Sequence, residues 1–527
     1  MLKTAPKELL IIVLLYTIAF GCILFNKGIY WDDWTLFNMD PNIVVETFHQ
    51  NGHPWIGYFH NFILSFRNGL TLYRIIIFLN YLASVLILYD ILKKIKEIAP
   101  SERFFLVLFF AIFPVNFGRI TLICAPYSIY YCVFYMAFWL SSKYLINKKV
   151  HFRILSLFLF LISFFTCSFL VFYSIVLMFL AYHEREHFRG FLSFFTTILK
   201  YLDFIILPIV FWIIRGIFFH PLGNYINYNK LDLSRLPWAF VKTFHVFYTS
   251  LFEVIKVSLG LNSFLFLLLG GVVLFLIFKR LNQAQEMMDK HDKWFLCLGV
   301  YAFYAGAFAY VAIGSPVTMY DWVSKDQLLL SFGAAFILFY SIKILLKNLE
   351  VNSEIRLLIF SILIFSFINL DMQSYLGYMK DWYKQIALME HYKSSEIIKN
   401  NTTFLFVDQT LDLNEKNRYY RFYDYTGPMK YIFGNEIRYG INIDRYIKGG
   451  LELGTPFFNK LFCVKDYIKK NPEYNIIIKH GDFSINKTPI NENFIRLVYY
   501  DFFKPEKLKS TARPIVSLEY ISLKEAK

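Results

Sequence analysis

Of 527 residues, 57% are apolar, 20% aromatic and only 18% charged, which excludes an ordinary soluble chain with roughly a quarter of its residues charged. The formal charge of +15 lies in short clusters of Lys and Arg between long apolar runs, a pattern of membrane orientation, so no nucleic-acid partner is expected. Cys22, Cys124, Cys132, Cys167, Cys297 and Cys463 lack metal-like spacing, which argues against a zinc site or a disulfide framework.

The first apolar run, from Leu9 to Phe25, follows Lys3 and Lys7. No clear small-x-small cleavage site comes after it, so it reads as an uncleaved helix with a cytoplasmic N-terminus. Further crossings are expected near 71–92, 104–118, 126–142, 194–219, 261–279, 294–314, 327–346 and 357–370. The run 153–182 would span about 45 Å as one helix, too long for an upright crossing. The clusters Lys93/Lys94/Lys96/Arg103, Lys143/Lys148/Lys149/Arg153, Lys279/Arg280/Lys290/Lys293 and Lys343/Lys347/Arg356 share one side only if this run crosses twice. A hairpin turning near Thr166-Cys167-Ser168 is therefore expected, which brings the count to eleven crossings.

After Asp371 the sequence becomes mixed polar, with strand-like pieces at 403–407 and 474–478 and helical pieces near 384–399 and 463–470. The predicted architecture is a polytopic α-helical membrane protein of about eleven transmembrane helices with a small C-terminal α/β domain. Its transmembrane module is 1–370, with outer loops 26–70, 220–260 and 315–326, and its soluble extracytoplasmic domain is 371–527. The localisation that follows is multi-pass in the plasma (inner) membrane. The loop 220–260 fits a helix lying in the membrane interface.

The unusual residues fall in these outer segments. Asp32 and Asp33 stand between Trp31 and Trp34, just beyond the first crossing. They suit a general base or a metal-binding carboxylate at the membrane surface, although the tryptophans can equally be interfacial anchors beside solvated aspartates. His53 and His60 are possible substrate contacts in the same segment, and histidines there are also common structural hydrogen-bonders. Tyr320, Asp321 and Lys325 lie in the late outer loop, where Lys325 either pairs with Asp321 or Asp326 or meets an anionic head group. Arg67, Arg74, Arg119 and Arg215 are further outer-side cations.

The acidic pair after the first crossing, the interfacial segment behind it and Leu72-Tyr73-Arg74 at the start of the second crossing together resemble the GT-C superfamily of membrane glycosyltransferases. That family includes protein O-mannosyltransferases, aminoarabinose transferases of lipid A and bacterial surface-polysaccharide enzymes. The resemblance implies an inverting transferase that moves a sugar from a polyprenyl-phosphate donor to a glycan, lipid or protein acceptor. Asp32 or Asp33 would be the catalytic carboxylate, and would hold a divalent cation if one is used. Lys325, Arg215, Arg119 and Arg74 would face the donor phosphate, with Lys325 where the family leads one to expect an arginine. Competing readings are a polysaccharide polymerase or ligase, which needs its cations in later outer loops, and a lipid or solute transporter, for which Asp203 is the clearest acid within a crossing. Acceptor binding is the role expected of the C-terminal domain, with structural capping as the alternative.

Overall fold

Apolar runs bounded by Pro, Gly or charge dictate where helices start and stop, and a helix stands at each expected crossing. The computed structural model describes residues 7–37, 40–185, 191–226, 231–281, 291–434, 437–449, 471–485 and 491–523. Five helices are long and apolar enough to cross a membrane: Gly69–Leu92, Leu122–Asn147, Asp292–Ala312, Leu330–Asn348 and Ser353–Ser394. A sixth is added if Leu233–Gly260 and Phe264–Arg280 form one bent span. The protein is thus helical with the character of a membrane-embedded chain, and by length and composition five or six of its helices are candidate spans.

The others are shorter or broken, for reasons visible in the chain. Lys7–Phe20 resumes as Cys22–Phe25 after a break at Gly21. Pro100–Ile112 stops before Pro114, whose ring disfavours helical backbone at Phe113. Phe191–Lys200 and Leu202–Phe218 meet at a break at Tyr201. The run 153–182 divides into Val150–Ser163 and Ser168–His183. The rings of Phe160 and Tyr173 lie 4.8 Å apart, whereas continuous helix would separate them by about 20 Å, so the chain folds back at the break.

Leu233–Gly260 meets Phe264–Arg280 at 101°, so the first lies across the direction of the second. At one end of the bundle Lys343 is buried, 2.7 Å from both Glu102 and Asp292. Such a triad is held because each carboxylate would otherwise be stranded away from water.

Between Ser353 and Ser394 the sequence has no proline and a single glycine, and the whole stretch is one helix of 42 residues, about 63 Å long. The expected boundary at 370/371 falls inside it, and so does the start of the separate helix expected at 384–399; Glu396–Asn400 follows as a short helix of its own. Leu370, Tyr375 and Tyr378 pack with the bundle, while Leu376 and Met379 already pack with the core of the C-terminal domain. One rigid rod therefore joins the two parts. The expected helix at 463–470 and Cys463 lie outside the described residues.

The soluble domain is built on a four-stranded sheet: β1 (Thr403–Asp408), β2 (Tyr439–Asn442), β3 (Tyr474–His480) and β4 (Val516–Ser522), in the order β2-β1-β3-β4. β2 and β3 flank β1 in parallel, and β4 is antiparallel to β3. The chain leaves the carboxyl end of β1 at the point where the strand order reverses, which is where open α/β sheets present their functional loops. That loop runs back to the bundle: the Lys416 ammonium lies 3.2 Å from the ring centre of Phe117.

Candidate functional site

The site grows from the turn after the first helix. Asn26 Oδ1 accepts from Gly28 N at 2.8 Å and from the Tyr30 hydroxyl at 2.9 Å, and the Arg74 guanidinium donates to Gly28 O at 2.7 Å. Trp31 is held at φ +52°, a left-handed conformation rare for a bulky residue, while its ring stacks on Trp322 at 5.4 Å. Asp321, at φ +52° and ψ −165°, is another non-glycine residue with positive φ in the loops that meet here. Strain of this kind costs of order 1–3 kcal/mol and persists where the surroundings enforce it.

This turn sends the two aspartates in different directions. Asp33 is fully buried and accepts from Leu122 N at 2.9 Å and Ile123 N at 3.1 Å, one with each oxygen. It clasps the loop that opens the helix Ala125–Asn147, and burial pushes its carboxyl up to about 7. Asp32 is enclosed by protein but lines a cavity of about 160 Å³ together with Trp31, Thr47, Asn51, His53, Tyr127 and Lys325. Burial raises its carboxyl to about 6, against the opposing pull of Lys325, Arg421 and a hydrogen bond from the Tyr423 hydroxyl.

Asn51, His53, Tyr127 and Lys325 also border a second, larger cavity of about 550 Å³. Its walls are largely apolar, with Trp212, Leu236, Phe240 and Phe308 among them, and Arg215 and Asp326 add charge. The Lys325 ammonium sits 4.5 Å from the ring centre of Trp31, between the two cavities. Burial lowers His53 to about 4, helped by Arg215, so its ring is neutral at pH 7. Asp326, raised by burial to about 6, is a further acid on this wall.

The structure thus sets Asp32 and Arg215 in the walls of two adjoining cavities, with His53 and Lys325 lining both. Four other candidates lie elsewhere. Arg74 is wholly buried beneath the turn that it braces. Arg119 bonds to the carbonyls of Val115 and Asn116 and packs against Phe20 and Tyr81, facing the bundle interior. His60 is buried against Phe48, with Nδ1 2.7 Å from the Tyr73 hydroxyl. Tyr320 is turned outward and donates to Glu253 at 2.9 Å. Asp321 is adjacent through its partner: Arg421 Nη2 lies 2.9 Å from its Oδ2.

Arg421 and Tyr423 are the contribution that sequence reasoning missed. Arg421 Nη1 donates to the Tyr423 hydroxyl at 3.3 Å, and that hydroxyl donates to Asp32, giving a relay Asp321–Arg421–Tyr423–Asp32. Burial and the Asp32 charge hold the Tyr423 proton in place. Behind it, buried Arg418 bonds to Asp381 at 2.9 Å and Asp424 at 3.3 Å and covers the Trp322 ring at 4.6 Å. Gly427 lets the helix Phe422–Phe433 press on the turn after the first helix, since a Cβ there would come within 2.5 Å of Trp34 Cβ. The dense run Arg418-Tyr419-Tyr420-Arg421-Phe422-Tyr423-Asp424 was a signal in the sequence, but nothing in it says which loop it meets.

A divalent cation does not suit Asp32 and Asp33 jointly, because both Asp33 oxygens are already held by backbone N–H groups. Among the described residues no group of three or more His, Cys, Asp or Glu side chains is arranged to hold a metal. No family model matches the chain, and comparison with curated proteins finds no match.

Proposed function

We propose that the protein is a membrane glycosyltransferase that moves a sugar from a polyprenyl-phosphate donor to an acceptor hydroxyl at the outer face of the membrane, with inversion. The observation that carries this reading is the Asp32 carboxylate on the wall of a pocket of about 160 Å³ that adjoins, at Lys325, a chamber of about 550 Å³ with largely apolar walls. The chamber suits a polyprenyl tail, Lys325 and Arg215 suit its phosphate, and the pocket beside Asp32 suits the sugar and the incoming hydroxyl. The donor class and the inversion come from the resemblance of the acidic motif to the GT-C enzymes.

In the reaction Asp32 takes the proton from the acceptor hydroxyl as its oxygen attacks the anomeric carbon. The bond from that carbon to the phosphate oxygen breaks on the opposite side, and the phosphate leaves with the electron pair. Lys325 and Arg215 offset the charge that develops on it. A carboxyl near 6 is mostly ionised at pH 7 and remains basic enough to accept a proton, a balance that favours general-base work. Arg421 and Tyr423 orient Asp32, so the soluble domain is part of the site in this reading.

The test is to offer radiolabelled polyprenyl-phosphate sugars and an acceptor mixture to the purified protein in vesicles. Transfer by the wild type and its loss in Asp32→Asn support the reading; equal transfer by both removes Asp32 from the chemistry. A ligase that uses a lipid-linked glycan is the second reading, favoured by the cation Arg421 arriving from a late segment. It would transfer a preassembled glycan and leave single sugars untouched.

A further inference from the structure

The helix Glu492–Phe503 of the soluble domain is apolar on two opposite sides. Phe494 and Leu497 face the domain core, where Phe494 meets Tyr383 at 6.0 Å. On the far side Ile495, Tyr499, Phe502 and Phe503 are exposed, Phe503 by 73%. Their spacing sets them in a single stripe where a soluble helix would carry polar residues.

The stripe leads to the membrane module. Phe502 packs edge-on against Phe25 at 5.4 Å, and the Lys27 ammonium donates to Asp501 Oδ1 and Asp501 O, each at 2.8 Å. Phe25 ends the first apolar helix pair, whose outward side carries Leu10, Leu14 and Ile18, all exposed. The exposed stripe of the soluble domain is therefore continuous with the surface that the first helix turns toward lipid. Arg496 and Lys507 are exposed on or just after the same helix, and Lys504 sits 5.7 Å from the ring centre of Tyr499. Aromatic rings flanked by long cations are the composition that settles at the boundary between acyl chains and phosphates.

We infer that Glu492–Phe503 is an interfacial anchor that lies in the phospholipid headgroup region of the leaflet reached by the end of the first helix. Tyr499, Phe502 and Phe503 enter the acyl boundary, and Arg496, Lys504 and Lys507 meet lipid phosphates. The anchor fixes the height of the sheet above the bilayer, and with it the loop that carries Arg421 and Tyr423. It depends on the membrane topology of the chain and not on the transferase reading.

The test uses the full chain reconstituted in phosphatidylcholine and phosphatidylglycerol vesicles. Tyr499→Cys, Phe503→Cys and, as a control, Lys509→Cys are each labelled with an environment-sensitive fluorophore, and the signal of the identically treated unsubstituted chain is subtracted. Tyr499, Phe503 and Lys509 are exposed, so the labels replace side chains outside the domain core. Nitroxide lipids labelled near the headgroup are expected to quench the labels at 499 and 503 several-fold more than aqueous iodide does, with the reverse at 509. Iodide quenching at 499 and 503 equal to that at 509 overturns the anchor. Shielding from both quenchers that deepens with protein density also overturns it, in favour of a second copy of the chain on this face.

Discussion

Replacing Asp32 and Asp33 separately by Asn should produce two different failures. Each Asp33 oxygen serves one backbone donor, Leu122 N and Ile123 N. An amide can serve only one of them and turns its own NH₂ toward the other. Stranding a buried donor costs ~1–3 kcal/mol, so Asp33→Asn should lower the thermal midpoint measurably. Asp32 lines a cavity, so Asp32→Asn should leave the midpoint near wild type. Its loss as a base should cut transfer by about 10²–10⁴, or ~2.7–5.4 kcal/mol of barrier at about 1.36 per tenfold. The assay pairs thermal unfolding at pH 8, where both carboxyls are ionised in the wild type, with single-turnover transfer in the same detergent. A stable Asp33→Asn that is inactive, beside an active Asp32→Asn, would reverse the assignment and refute the argument from hydrogen-bond geometry.

The remaining expectations follow from the same contacts. With Asp32 raised to about 6, protonation below that pH removes the base, so kcat/KM should fall about tenfold per pH unit on the acid side, a limb read from a pH profile and absent from the residual rate of Asp32→Asn. Arg421→Gln removes a cation that holds Asp32 ionised, so the limb should move to higher pH, and loss of a charge-assisted bond worth ~1.5–3 kcal/mol should slow transfer by roughly ten- to a hundredfold. Arg421→Lys should keep the limb in place but not the full rate, because an ammonium lacks the fork that spans Asp321 and Tyr423. Lys343→Met strands Glu102 and Asp292 without their shared cation and should cost ~3–5 kcal/mol in denaturant unfolding. If all of the expected crossings are made, a reporter active only outside the cytoplasm should work when fused after Lys527, and an inactive fusion would contradict the odd count.

Membrane character was legible in the sequence because it is additive: apolar runs and the clusters of Lys and Arg between them need no knowledge of the fold. The reversal near Thr166 was legible for a related reason, since helix rise and charge side together exclude a straight run. Strands β1 and β3 were readable as apolar runs bounded by polar residues. What local pattern could not supply was the continuity of Ser353–Ser394. Its polarity changes near Asp371 while its helix-forming composition does not, and a change of solvent looks like a change of element.

The site divides along the same line. The sequence by itself placed an acidic pair, His53 and a late cation in the segments between apolar runs, because these are local facts about residues near helix ends. Only the tertiary structure separated Asp32 from Asp33, through a left-handed Trp31 that aims neighbouring side chains at different partners. It alone withdrew Arg74 and Arg119 into structural roles, and it alone brought Arg421 and Tyr423 to Asp32 across almost 400 residues of chain. The physical reason is that burial and partner choice are properties of the packed whole. A carboxylate beside a donor stays a brace or becomes a base according to whether folding closes the space around it, and spacing along the chain does not encode that space.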